Sequence, residues 1–445
     1  MILDAPLVAA ARLAGRRGRV VLHSARDDDG LGHATYVTAD PVASIEARGR
    51  TLIERDARGA VHRQWVGDPL IAIEKFARAH GAALAAPVPV VVAPQVIGYV
   101  GYDLGRAIEH LPGGPSAGDD TPDLWLGAYA AVAVWTGEAA GVIHGEPEAA
   151  AALAAALATG PDQPGPPPRF GPLAADDDGA AHCARIERIL EYIRAGDVYQ
   201  VNLARRLVAR VVAPGDPLAV YAALAAVAPA PYGALIEADG VTVLSGSPER
   251  FLTRRGDRIE TRPIKGTRPR SIDPTLDRAA VTELAASTKD AAEHLMIVDL
   301  ERNDLGRIAV TGSVEVDRLG YMVELPQLHH MVSRVSATLR SGVGIAELLR
   351  ATFPGGSITG APKVRAMQII DELEPARRGP YCGAIGFLGG GGALELAIAI
   401  RIAVLTPTEL RIHVGGGIVA DSDPAAELAE TDDKAAGWRA ALVRL

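Results

Sequence analysis

Cysteine is almost missing from this sequence: Cys183 and Cys382 are the only two in 445 residues. They show no metal-ligand spacing and cannot form a disulfide framework for a chain of this length, which fits a reducing cytoplasm. An excess of positive charge is missing as well. Lys and Arg total 45 against 54 Asp and Glu, a formal net charge of -9. No global field draws in nucleic acid or an anionic membrane, so an anionic substrate must be held by local groups. A long unbroken apolar run is also lacking: residues 82–100 are interrupted by Pro87, Pro89 and Pro94 and carry Gln95, which does not read as a membrane span. The N-terminus lacks the order of a secretory signal, since Asp4 comes early and Arg12, Arg16 and Arg17 follow the apolar stretch. The expectation is a cytoplasmic chain with no targeting segment.

What is present describes a folded chain. Hydrophobic residues make up 48% and charged residues 22%, a balance far from that of disordered chains. The length allows two or three domain-sized parts and a well-buried cavity. Prolines 161, 164, 166, 167, 168 and 172, followed by Asp176, Asp177 and Asp178, mark residues 159–180 as an exposed connection. It divides residues 1–158, with strand-like runs at 19–23, 96–101 and 128–135 and a helix expected at 148–158, from residues 181–445. In the second part, Leu394, Leu396, Ile398, Ile400, Ile402 and Val404 alternate with Glu395, Ala397, Ala399, Arg401 and Ala403. This predicts one strand over 394–404 with Arg401 among small side chains. A turn at 406–408 and a second strand at 410–414 complete a hairpin that runs into Gly415, Gly416 and Gly417, where a ligand can approach the backbone.

Four clusters carry chemistry. Asp290 and Glu293 share one face of a helix predicted over 288–303, and Glu427 and Glu430 share another, with Lys434 one turn on. Two acidic pairs suit a hard, oxygen-liking cation, although solvated helix faces explain such pairs equally simply. In residues 352–367, Gly355 and Gly360 have phosphate-loop spacing, but Ala361 stands where the lysine must follow, so a nucleotide reading fails. The same segment leads through Thr359 and Pro362 into a helix, a start suited to a carboxylate or simply a tight glycine turn. Finally, Ser247-Pro-Glu-Arg250 and Arg262-Pro-Ile-Lys-Gly-Thr267 offer Glu249 and Lys265 from neighbouring segments. A lysine there is a nucleophile if buried and a plain loop lysine if solvated.

Together these motifs resemble the chorismate-binding family that contains anthranilate, isochorismate, salicylate and aminodeoxychorismate synthases. The match runs through Gly196-Asp-Val-Tyr-Gln-Val-Asn-Leu203, Ser247-Pro-Glu-Arg250, Lys289-Asp-Ala-Ala-Glu-His-Leu-Met-Ile-Val-Asp299, residues 353–367, residues 415–420 and Glu430-Thr-Asp-Asp-Lys434. It is weaker at Leu22-His-Ser24 and Gly98-Tyr-Val-Gly-Tyr-Asp-Leu-Gly105. The resemblance implies an α+β, anthranilate-synthase-like fold of two antiparallel sheets packed between outer helices, with interlocked halves and an effector-type pocket in the N-terminal part.

The resemblance also assigns roles. Gln200 stands where water-adding relatives carry a base lysine, which disfavours isochorismate and salicylate formation. Lys265 stands where anthranilate synthases usually have alanine, which favours amination at C4 through a covalent lysine adduct at C2. Glu249 is the implied general acid. Mg2+ is implied on Glu293 and Glu430, with Asp290 and Glu427 as outer acids; Asp290 is shorter than the Glu of some relatives. Arg401, Tyr381 and the backbone of Gly415, Gly416 and Gly417 are implied for the enolpyruvyl carboxylate, and Lys434 for charge near the ring carboxylate. Thr267, His330, Thr359, Gly360 and Ala361 are implied around the ring, although His330 also reads as a satisfied core histidine.

Neither cysteine lies in a Gly-x-Cys-x-Gly elbow, so ammonia is expected from a separate glutamine amidotransferase subunit in a heterodimer. The rivals are an anthranilate synthase large subunit and a non-catalytic protein that binds chorismate or tryptophan.

Overall fold

Local chemistry sets several helix starts. Asp68-Pro69, Asp216-Pro217, Asp273-Pro274 and Asp423-Pro424 each open a helix, with the Asp side chain accepting one or two N–H groups of the first turn. Proline follows where its missing N–H costs nothing. The helix expected from residue 288 is Thr288–Gly306, capped by Ser287, whose hydroxyl accepts from Asp290 N. The computed structural model describes residues 3–25, 31–81, 94–111, 113, 121–137, 140–324 and 328–445. Of the proline-broken tract at 82–100, residues 82–93 lie outside the described residues, and Pro94–Val100 is a largely buried strand. Among the described residues no helix is long and apolar enough to cross a membrane.

The chain forms two sheets in which the paired strands run antiparallel. The first orders Arg169–Phe170, Gln200–Ala213, Glu409–Ile418, Ile402–Leu405, Val241–Ser247, Tyr232–Ala238, Val20–His23, Ala34–Thr38, Ala131–Thr136 and Val142–Gly145. The second orders Ile264–Pro269, Leu328–Thr338, Arg258–Thr261, Arg250–Arg255, Leu394–Ile398, Ala384–Gly389, Pro94–Val100, Leu124–Ala128, Ala43–Arg48, Thr51–Asp56 and Val61–Val66. N-terminal strands therefore join both sheets, at Val20↔Ile236 in one and Tyr99↔Ile385 in the other.

Alternation along the strands divides the core. Val20, Tyr36, Val134, Ile236 and Val243 point into one apolar cluster, shared with residues of the second sheet such as Ile97 and Leu396. Their neighbours Val21, Val37, Ala133, Leu235 and Leu244 point into another, as a two-residue period requires. That second cluster lies under helices Pro6–Arg12, Pro147–Leu157, Pro217–Val227 and Pro424–Val443, through Ala10, Leu153, Leu224 and Trp438.

Two sequence expectations change in detail. The proline-rich segment is largely exposed, yet it also pairs along the edge strand, with Phe170 opposite Val211 and Ala174 opposite Val208. Residues 394–404 are not one strand. Leu394–Ile398 belongs to the second sheet and Ile402–Leu405 to the first, and Arg401 between them adopts φ +52. The apolar alternation runs on unbroken because both sheets face a shared core. The hairpin with Glu409–Ile418 forms, and its glycines sit inside the strand, opposite Asn202, Leu203 and Ala204.

Candidate active site

A cavity of about 230 Å³ opens between strands of the first sheet, at residues 202–204 and 414–415, and strands of the second, at residues 264–267 and 330. It is lined by Glu249, Lys265, Thr267, His330, Tyr381, Arg401, Gly415 and Lys434. It shares Lys265, Thr267, Arg401 and Lys434 with a wider cleft of about 780 Å³ that Asp290, Glu293, Gly417, Glu427 and Glu430 also line. These residues, from eight separate stretches of chain, thus line two adjoining spaces.

Glu249 follows strand Val241–Ser247 and is held by its backbone, with its carbonyl accepting from Ile398 N at 3.0 Å. Its side chain is buried, and its Oε1 has no hydrogen-bond partner among the described residues. Burial pushes this carboxyl above the usual range, while Lys265, Ser357, the N–H of Ile264 and Arg401 pull it back. Desolvation is the largest of these influences, so the acid is biased towards holding its proton.

Lys265 owes its position to a β-bulge. In strand Ile264–Pro269 it pairs with Met331, but Thr267 pairs with His330, and Gly266 between them takes φ +70. A glycine at such a bulge re-aims the preceding side chain. Lys265 Nζ lies 3.2 Å from Glu293 Oε1 and 3.5 Å from the carbonyl of Ser357. A Cβ on Gly266 would lie 2.8 Å from Leu284 Cδ1. Gly266→Ala is therefore expected to cost about 1–2 kcal/mol of stability, read by chemical denaturation. Through misplacement of Lys265 it is also expected to lower turnover by about 10²-fold; full turnover in this variant would show that the bulge does not set the amine.

The acids converge from two helices. On Thr288–Gly306, Asp290 Oδ2 pairs with Arg268 at 3.0 Å and Glu293 pairs with Lys265. On Pro424–Val443, Glu427 Oε1 accepts from Ser422 Oγ at 2.6 Å, and Glu430 Oε1 pairs with Lys434 at 2.6 Å. Lys434 also donates to the Gly415 carbonyl at 2.8 Å. A Cβ on Gly416 would sit 3.1 Å from Glu427 Oε2 and 3.7 Å from both Glu430 Oε1 and Lys434 Nζ, so bare backbone meets these side chains there. Burial, and less strongly the charge of Glu430, raises Glu427. Among the described residues no three His, Cys, Asp or Glu side chains are gathered tightly enough to hold a metal ion. The donor set itself, four carboxylates on one cleft without thiol or imidazole, is of the kind that suits a hard cation.

Tyr381 stacks on His413, ring centroids 5.4 Å apart, and His330 Nδ1 shares a 2.9 Å hydrogen bond with Thr267 Oγ1. Gln200, Thr359, Gly360 and Ala361 do not line either space. Gly360–Ala361 pairs with Gln200 and Val201, and the Thr359 hydroxyl donates to the Gly355 carbonyl at 3.0 Å. Gln200 is fully buried with both amide atoms unpartnered among the described residues, its Nε2 2.4 Å from where a Cβ on Gly417 would lie. Their places on the wall are taken by Asn202, Ser357, Ile358 and Arg378, none of which the sequence singled out. Asn202 lies on the same strand face as Gln200, a signal period-2 reading could have used. Arg378 is buried against Glu374 at 2.7 Å and donates to the carbonyls of Ile358 and Asn202. It fixes that wall.

Comparison with known proteins agrees with this arrangement. Residues 25–439 match the family described as chorismate binding enzyme. The chain belongs to the chorismate-binding enzyme family. It acts on chorismate, and its two-sheet α+β fold is the family's. Aminodeoxychorismate synthase component 1 of Klebsiella aerogenes is 40% identical over 425 residues, covering 93% of this chain and 91% of the relative. An anthranilate synthase component 1 of Haloarcula marismortui is also 40% identical, over 76% of this chain and 73% of that one. Among solved structures, anthranilate synthase component I from Streptococcus pneumoniae superposes with a TM-score of 0.78 at 27% identity, covering 98% of this chain and 94% of that one. The two curated relatives, from two branches of this family, are equally identical to the chain.

Proposed function

We propose that this chain is the large subunit of an aminodeoxychorismate synthase: it aminates chorismate at C4 with ammonia, giving 4-amino-4-deoxychorismate, a precursor of 4-aminobenzoate and folate. The observation that carries the reading is the placement of the Lys265 amine on one small cavity with the buried acid Glu249, beside Glu293. Hydroxide leaves poorly, so the 4-hydroxyl needs a proton donor, and desolvation biases the Glu249 carboxyl towards holding the proton it would give. Lys265 attacks C2 as the C4–O bond breaks; ammonia then adds at C4 and the C2–N bond to lysine breaks.

Glu293 and Glu430 would hold Mg2+, with Asp290 and Glu427 beside them, and the ion when bound would neutralise the ring carboxylate. Arg401, Tyr381 and the Gly415–417 backbone would receive the enolpyruvyl carboxylate. Ammonia would come from a separate glutamine amidotransferase subunit, and ammonium salt should replace it. For the effector-type pocket expected in the N-terminal part, the candidate is a cavity of about 340 Å³ that Leu22 and Tyr36 line together with Tyr232 and Phe387 of the C-terminal part.

One assay decides the branch. Protein, chorismate, Mg2+ and ammonium are incubated, aminodeoxychorismate lyase is added to one aliquot, and the products are separated. The expected product is 4-aminobenzoate, appearing only with the lyase. Production of 2-aminobenzoate alone would mean that the chain is an anthranilate synthase, and chorismate binding without any turnover would favour a non-catalytic role.

A further inference from the structure

Two stretches of chain change sheets side by side, and each carries one charged group of the small cavity. Val241–Ser247 belongs to the first sheet and Arg250–Arg255 to the second, so the chain crosses at Pro248 and Glu249. Leu394–Ile398 belongs to the second sheet and Ile402–Leu405 to the first, so the chain crosses back at residues 399–401 and sets Arg401 there. The two runs are antiparallel neighbours. Their ladder stops at Ser245↔Ile402 and resumes at Arg250↔Ala397. In that gap Pro248 has no N–H to offer, and buried backbone groups still require partners.

The side chain of Ser247 bridges the gap. It is fully buried; its hydroxyl donates to the Ile398 carbonyl at 2.6 Å and accepts from Glu249 N at 3.3 Å, the reach to an N–H two residues on that serine makes in turns. Ile398 N in turn donates to the Glu249 carbonyl at 3.0 Å. One hydroxyl thus closes a ring of three hydrogen bonds that grips the acid by its own N–H and C=O. The Ile398 carbonyl also accepts from Ile400 N at 2.9 Å, within its own crossing; the hydroxyl is its bond to the other one. Arg401 has a separate tie, its carbonyl accepting from Gly246 N at 3.0 Å.

We propose that Ser247 is a positioning residue for Glu249: its hydroxyl replaces the missing rung between the two crossings and holds the acid in register with Arg401. The inference rests on Glu249 being the general acid. A proton donor must meet the C4 oxygen of a substrate whose carboxylate is pinned elsewhere, so the distance between acid and anchor decides whether the proton arrives. Both groups sit where the chain leaves one sheet for the other, and the regular ladder does not set that distance. Loss of the hydroxyl frees the backbone of Glu249, whereas Arg401 keeps its bond from Gly246. The acid is displaced and the anchor is not.

The test is a double-mutant cycle in kcat for chorismate consumption with ammonium and Mg2+. Ser247→Ala should lower kcat by about 10²-fold, the scale for a reacting group displaced by about 1 Å, while KM for chorismate changes by less than about threefold. In a Glu249→Gln background there is no proton left to place, so adding Ser247→Ala should change kcat by less than about threefold relative to Glu249→Gln alone. Ser245→Ala removes another buried hydroxyl, two residues earlier on the same strand face, and should leave kcat at the parent value. Ser247→Cys fills the same space with a weak donor and takes the place of the alanine variant if that one does not fold. An equal loss in the parent and Glu249→Gln backgrounds overturns the proposal, and so does a kcat within about threefold of the parent in a folded Ser247 variant. Failure of both Ser247 variants to fold overturns it too, because the hydroxyl would then serve the fold rather than the acid. Turnover surviving in Glu249→Gln is a different result: it overturns the general acid itself.

Discussion

Lys265→Ala is expected to lose both the covalent adduct and, by about 10³-fold or more, the turnover of chorismate. Lys265 lines the small cavity together with Glu249, whereas Lys434, the other lysine there, is tied to Glu430 and the Gly415 carbonyl. The alanine variant also strips Glu293 of its 3.2 Å ion pair, so a fall in activity alone would not separate chemistry from charge. Lys265→Arg does separate them. It keeps a cation opposite Glu293, but guanidinium stays protonated and does not attack carbon. Both variants should show no mass increase on incubation with chorismate, while the parent chain shows one by intact-protein mass spectrometry after rapid acid quench. An adduct of undiminished yield in Lys265→Arg would remove Lys265 from the role of nucleophile and leave it as a binding group.

How far the sequence alone could lead follows from which signals are local. The acidic pairs at 290/293 and 427/430 were readable because helical spacing puts residues three apart on one face, and both helices form. Asp-Pro helix starts are equally local. The bulge at Gly266 and the break at Arg401 were not readable. Alternation persists through residues 394–404 although the chain changes sheets, because a shared core imposes the same pattern on both strands. Depth of burial is not local either: between Leu300 and Arg302, Glu301 looks like one more solvated acid, yet it is buried and accepts from the Thr261 hydroxyl. Thr359, Gly360 and Ala361 were assigned to the ring from a motif, yet the motif folds so that Ser357 and Ile358 face the cavity instead.

That difference in depth bears on where the acid chemistry resides. The acids of the wide cleft are matched by cations or hydroxyls of the same chain: Asp290 by Arg268, Glu293 by Lys265, Glu430 by Lys434 and Glu427 by Ser422. Glu249 differs. It is 6% exposed, and one of its oxygens has no partner among the described residues. A buried polar atom without a partner is costly in a folded protein, and this one lies on a residue that lines the cavity. The arrangement separates carboxylates matched on an open cleft from one buried carboxyl whose desolvation favours its neutral form.

Glu249→Gln is accordingly expected to lower kcat by about 10²–10⁴-fold, the range for loss of a positioned general acid, with KM for chorismate changed far less. The amide has nearly the same shape and keeps the contacts of the buried side chain but has no proton to give. The sign of the pH effect follows from the raised carboxyl: Glu249 is competent while protonated, so turnover in the parent chain should hold at lower pH and fall as pH rises through its folded value. In Glu249→Gln the residual rate should lose that alkaline dependence. Stability should move in the same sense. A carboxyl whose folded pKa is raised favours the fold below its unfolded value, and that contribution is lost as pH rises through the folded value. The glutamine variant should therefore unfold at a temperature less sensitive to rising pH than the parent, measured by thermal denaturation across a pH series that starts below the ordinary carboxyl range. A kcat within a few-fold of the parent, with the alkaline limb intact, would show that another group protonates the leaving hydroxyl.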